Sequence, residues 1–155
     1  MTFYKTTDQL PDYEDYSMKG RTYRFFTDAL FPFGYGLSYT AFEVGGEQAV
    51  VGADGSVKVS VDVTNTGRRD GVEIVQAYVR NPQDADGPLK TLRGFQRVAV
   101  KAGQTAKATI ALTRESFECF DTETNTMRVK PGQYEVLVGT SSRVGDLKRL
   151  TVTIQ

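Results

Sequence analysis

Val57, Val59, Val61 and Val63 alternate without exception with Lys58, Ser60, Asp62 and Thr64. A period of two is the spacing at which successive side chains of an extended chain point to opposite faces. This segment therefore buries its valines only as a β-strand with one wet face. The same period returns at Ala106, Ala108, Ile110 and Leu112, at Tyr134, Val136 and Val138, and at Leu150, Val152 and Ile154. Val72 to Asn81 differs, being β-branched and apolar on both faces, which suits a central strand. Three further segments are read as strands: Thr40 to Val44, ended by Gly45-Gly46; Leu89 to Lys101, with Phe95, Val98 and Val100 inward; and Phe117 to Asp121, with Thr122 to Thr126 as its hairpin loop. Turn residues at Ala53-Asp54-Gly55-Ser56, Asn65-Thr66-Gly67, Lys101-Ala102-Gly103-Gln104 and Pro131-Gly132 separate these runs. No segment carries a helical period of useful length. The pattern predicts an all-β fold, an antiparallel β-sandwich of about seven strands with two sheets packed over the faces just named.

Ahead of the strands lies a different kind of sequence. Tyr23 to Tyr39 packs Tyr23, Phe25, Phe26, Phe31, Phe33, Tyr35 and Tyr39 around Pro32, Gly34 and Gly36. Aromatic side chains bury more area than any others, so a run this dense has to lie against something large. Gly34-Tyr35-Gly36 has no strand before it and no helix after it, so it is weak evidence for phosphate binding. Residues 1–20 show neither period and read as an extended or irregular arm. Their opening, straight into Phe3-Tyr4 with no basic and then apolar leader, reads as a start placed inside a larger protein.

Composition removes most chemistries. The 155 residues include no histidine, which excludes Ser-His-Asp and Cys-His catalysis and every histidine-bearing zinc site. Nineteen basic and nineteen acidic residues leave no net charge, which argues against nucleic acid or an anionic membrane surface as partner. No run of eighteen apolar residues exists to span a bilayer. The single cysteine, Cys119, excludes an internal disulfide and, between Phe117 and Phe120, reads as a small core residue. Asp12, Glu14 and Asp15 form the densest carboxylate cluster, but acids this close in an irregular arm are solvated surface more often than a hydrolytic pair. Asp84 and Asp86 fall short of the six to eight oxygens that calcium takes. Asp121 and Glu123 read as a solvated hairpin tip, and Ser116, Ser141 and Ser142 have no base to activate them. The residues alone describe a sandwich with no self-contained active site, no metal and no cofactor.

The aromatic stretch also carries a resemblance. YRFF…LFPFGYGLSYTAFE (Tyr23 to Glu43) resembles the segment that leads into the C-terminal domain of family 3 glycoside hydrolases. V-x-V-T-N-T-G (Val61 to Gly67), D-G-x-E-x-x-Q-x-Y-V (Asp70 to Val79), L-x-G-F (Leu92 to Phe95) and P-G-x-Y-x-V-x-V-G-x-S-S (Pro131 to Ser142) are similar to that family's fibronectin type III-like domain. Phe3 to Arg24 lies closer to the bacterial β-xylosidase-like members than to plain β-glucosidases. The resemblance implies a fibronectin type III/immunoglobulin-like sandwich at 39–155, behind an arm and linker at 1–38. It also implies a parent that is a retaining, exo-acting β-glucosidase or β-xylosidase. In that family an aspartate from a (β/α)8 barrel and a glutamate from the following domain do the chemistry. Neither motif is present here, so the implied role is a non-catalytic accessory domain whose partners are the catalytic domains. Tyr23, Arg24, Phe25, Phe26, Phe31, Phe33, Tyr35 and Tyr39 are the candidates for that interface, with Phe31 to Tyr39 docking on the sandwich and the preceding half facing the absent domain. Two alternatives stay open: a carbohydrate-binding module using exposed aromatics, and an adhesion-type sandwich with a large apolar patch on one sheet.

Overall fold

The valine alternation forms β2 (Val57–Asn65), which lies between β1 (Phe42–Val51) and β5 (Thr105–Leu112) in a three-stranded antiparallel sheet. These positions come from a computed structural model that describes every residue from Met1 to Gln155. The facing sheet has four antiparallel strands in the order β4 (Thr91–Val100), β3 (Gly71–Arg80), β8 (Gly132–Gly139) and β9 (Leu147–Ile154). Seven strands thus make the sandwich, and β6 (Cys119–Asp121) and β7 (Thr126–Arg128) add a small hairpin beside it. No helix is long and apolar enough to cross a membrane.

The core lies where the two alternating faces meet. Val57, Val59, Val61 and Val63 are sealed against Val75, Ala77 and Val79 of β3 and Val136 and Val138 of β8, with Phe117 and Tyr134 crossing edge to face at one end. Each buried valine is worth about 1.5–3 kcal/mol, so a one-residue slip of β2, turning all four outward and Lys58 and Asp62 inward, is excluded.

Three strand readings change. The Gly45-Gly46 pair does not end β1; the register with β2 shifts between Gly45 and Gln48, and Gly46 takes a left-handed φ of 61° there. The pair is a β-bulge, and the strand runs on to Val51. Phe95 points outward and is 68% exposed, whereas Val98 and Val100 are buried as expected. Parity explains it, because an odd position in a strand faces away from even ones. Phe117 is a core residue on a 3₁₀ turn, Arg114–Phe117, and only Cys119 to Asp121 pairs as a strand. Cys119 itself is half-buried beside Asn81 and the Arg128 carbonyl, at the margin of the core.

Two of the polar motifs turn out to be fastenings. Asn65 is fully buried; its amide donates to the carbonyls of Arg69 (2.8 Å) and Val100 (3.0 Å), and its Oδ1 accepts from Thr40 Oγ1 (2.7 Å) and the Gly67 N–H (3.0 Å). One side chain thereby ties the start of β1, the end of β2, the turn before β3 and the end of β4. The Tyr134 hydroxyl donates to the Lys130 carbonyl, four residues upstream, at 2.8 Å. That is the tyrosine corner of immunoglobulin-like sandwiches, at the expected place near the start of β8.

Candidate domain interface

From Val75 to Val79 β3 is buried on both faces, and the second face is where the linker lies. Val75, Ala77 and Val79 point into the core; Gln76 and Tyr78 point the other way and are equally sealed. The ring of Tyr23 stacks on Phe33 at 4.5 Å between centroids and meets Tyr78 edge to face at 5.7 Å. The Tyr23 hydroxyl accepts from the Leu92 N–H (3.1 Å), the Arg24 carbonyl from the Leu89 N–H (2.7 Å), and the Phe33 carbonyl from the Ser142 N–H (2.8 Å). Gly34 is pressed onto the Gln76 amide so closely that a Cβ would sit 2.4 Å from it, and its φ of 81° is left-handed. Gln76 is held in turn, donating to the Thr140 carbonyl (2.8 Å) and accepting from the Tyr78 hydroxyl (2.5 Å). Burial first, and the neighbouring Tyr23 second, push the Tyr78 phenol far above its ordinary value, so it is a fixed donor at all working pH.

The eight candidates therefore divide differently from the expected halves. Tyr23, Arg24 and Phe33 are the residues that fasten the linker to the sheet. Phe25 lies under the Arg24 guanidinium at 6.0 Å, and Phe26 packs against Tyr4 of the arm at 4.9 Å. Phe31 meets Phe3 at 6.1 Å and stacks on Tyr35 at 5.6 Å, with Arg143 over the Tyr35 ring at 5.5 Å. Tyr39 touches little and is 93% exposed, as is neighbouring Leu37 at 91%. The arm stays outside both sheets and folds back on the linker, Phe3 exchanging backbone hydrogen bonds with Leu30 and Phe31. Gln76, Tyr78 and Ser142 belong to the same contact but escape a reading of single residues. The signal for Gln76 and Tyr78 is a strand with no polar face.

The carboxylates go to turns and ion pairs. Asp12 accepts from the Glu14 N–H (2.9 Å) and Asp15 from the Ser17 N–H (2.8 Å), both on the surface. Asp121 is not the solvated tip its sequence suggests. It is fully buried and paired with Arg128 (2.5 Å) and Lys130 (3.1 Å). Burial opposes ionisation of its carboxyl, but hydrogen bonds from Lys130, Thr124 and the Glu123 N–H, with the Arg128 charge, outweigh it and hold the group below its ordinary value. Ser141 donates to Asp146 (2.6 Å), a contact that shapes the β8–β9 turn. No group of three metal-ligating side chains gathers anywhere. The exposed aromatics share no sheet face: Tyr13, Tyr16 and Tyr39 lie in the arm and linker, and Phe95 and Phe120 stand singly on different elements.

Residues 73–142 match the fibronectin type III-like domain family. Over 155 residues the chain is 63% identical to a xylan 1,4-beta-xylosidase of Xylanibacter ruminicola, an alignment that covers 99% of this chain and 18% of that protein. Its fold superposes on the β-glucosidase DesR of Streptomyces venezuelae, solved with D-glucose, at a TM-score of 0.77 and 34% identity over 86% of this chain and 18% of that one. It also superposes on the GH3 β-glucosidase of Bifidobacterium adolescentis, at a TM-score of 0.72 and 37% identity over 79% of this chain and 18% of that one. The chain is a fibronectin type III-like domain of the family 3 glycoside hydrolases. It spans under a fifth of the length of those relatives. In this fibronectin type III-like domain the linker contact lies on the second face of β3, over Gln76 and Tyr78.

Proposed function

We propose that residues 1–38 are an arm and linker, that 39–155 are the accessory sandwich, and that the pair docks without catalysing anything against the catalytic domains of a longer glycosidase. One observation carries this. Of twenty large apolar side chains left exposed, eleven fall in the first 39 residues, from Met1 and Phe3 to Leu37 and Tyr39. A quarter of the chain thus holds more than half of the unburied apolar anchors, on an arm that folds back on the linker and on the linker that is fastened to β3. Exposed apolar residues concentrated in this way mark a protein contact. The identity of 63% to a xylan 1,4-beta-xylosidase, against 34% and 37% to the two β-glucosidases, favours a parent that releases terminal β-linked xylose.

The test joins this chain behind the part of the Xylanibacter ruminicola protein that precedes the aligned region. Replacing Leu37 and Tyr39 by Ala should leave the melting temperature of the isolated chain unchanged and lower that of the joined protein. Equal melting temperatures for both joined proteins would remove the docking reading. The isolated chain should hydrolyse neither aryl β-xylosides nor aryl β-glucosides, and turnover proportional to its concentration would remove the non-catalytic one.

A further inference from the structure

Lys90 lies in the connection that leads from β3 into β4, and it is only 3% exposed. A buried ammonium is costly unless a carboxylate faces it. The chain forms six ion pairs, and Lys90 is in none of them. It lines a cleft of about 170 Å3 beside Thr27 of the linker, with Arg80, Glu135 and Arg149 as the other charged walls. Glu135 is already spent, its Oε2 on Arg80 (3.3 Å) and its Oε1 on Arg149 (3.0 Å). Three cations therefore surround one carboxylate, and the surplus falls on Lys90. Burial, and then the Arg80 charge, push the Lys90 ammonium below its ordinary value, as a cation lacking its partner requires. Leu137 and Leu147 complete the cleft with apolar walls suited to a methylene stem.

We propose that this cleft seats a carboxylate, the side chain of an Asp or Glu that the rest of the polypeptide presents to the linker face. The proposal rests on the docking reading above and names the polar half of that contact. A single carboxyl group supplies what the cleft lacks, one negative charge and two acceptor oxygens, and the volume admits little more. Thr27 of the linker is itself one wall of the cleft, so the cleft adjoins the segment that the docking reading assigns to the contact.

Lys90→Met tests this through the sign of its effect. In the isolated chain the variant removes a poorly solvated, unpaired charge at the cleft wall, so the melting temperature should stay level or rise. In the joined protein the variant strands the partner carboxylate, and the melting temperature should fall by roughly 2–6 °C. A shift of the same sign in both contexts would overturn the proposal. A zero-length carbodiimide supplies an independent readout, coupling an amine only to a carboxyl it touches. Peptide mapping of the joined protein should find Lys90 linked to an acid upstream of residue 1; a link to Glu135, or none, overturns it. Loss of stability in the Leu37/Tyr39 variant but not in Lys90→Met would sink this inference alone, whereas loss in neither would sink the docking reading with it.

Discussion

Asn65 uses every hydrogen-bonding position of its side chain inside the fold, so its replacement separates the roles of shape and polarity. Asn65→Ala removes the donors to the Arg69 and Val100 carbonyls and the acceptor of the Gly67 N–H, and should cost about 3 kcal/mol, read as a lower urea midpoint at unchanged slope. Asn65→Asp should cost more at neutral pH, because an acceptor-only carboxylate would then face the carbonyl oxygens of Arg69 and Val100. Asp121 adds a pH dependence. Its folded carboxyl titrates below its ordinary value of 3.8, so the stability it brings is present above that value and is lost as pH falls through the folded one. Lys130, raised above 10.5 chiefly by its hydrogen bond to Asp121, behaves oppositely; its contribution is present below 10.5 and is lost as pH rises through the folded value. The melting-temperature gap between the wild type and Asp121→Asn should therefore be flat from about pH 5 to 9 and should close in acid. A gap unchanged at pH 2 would contradict the assignment. Both residues were legible as turn positions, since Asn-Thr-Gly and Asp-Thr-Glu-Thr are turn compositions. Their burial was not, because it depends on which distant carbonyls and cations the topology brings within reach.

Strand β4 shows how a local pattern determines some things and leaves others open. Val98 and Val100 fix the inward parity, and Gly94 shares it, lying so close under the facing sheet that a Cβ would meet Ile110 Cγ2 at 2.6 Å. Gly94→Ala should therefore cost about 1–3 kcal/mol by overpacking, unless Ile110 rotates away. Phe95, one position on, faces water, and Phe95→Ser in the isolated chain should change stability by less than about 0.5 kcal/mol. Thermal unfolding of the two variants side by side checks the register, and reversed magnitudes would mean that β4 is turned over. The aromatic character of Phe95 suggested burial, yet the period of two overrides it. The Gly45-Gly46 bulge was invisible for a related reason. Two adjacent glycines end a strand or kink it equally well, and only the pairing of Gln48, beyond them, with Ser60 of β2 decides that β1 continues.

At the scale of the whole molecule the linker is a third layer. The sandwich accounts for one face of β3, and Tyr23, Phe33 and Gly34 cover the other face over Gln76 and Tyr78, while Val72, Ile74 and Phe95 leave the rest of that outer sheet face exposed. The sequence showed a strand apolar on both faces and an aromatic run needing a surface. It could not show that each was the answer to the other, because nothing local links residues about fifty positions apart. Truncation separates the layers. Removing residues 1–20 takes away the arm but none of the contacts to Gln76 or Tyr78, so the sandwich should keep its urea midpoint. Removing residues 1–38 bares Tyr78 and Gln76 and also frees the Leu89, Leu92 and Ser142 N–H groups. That variant should lose stability by several kcal/mol, bind a hydrophobic dye and self-associate, since a newly exposed sheet face with apolar residues is an aggregation template. Equal midpoints for the two truncations would mean that the linker rests on the sheet without stabilising it. The apolar anchors at Leu37 and Tyr39 would then be a flexible tether, with no rigid mount to present them.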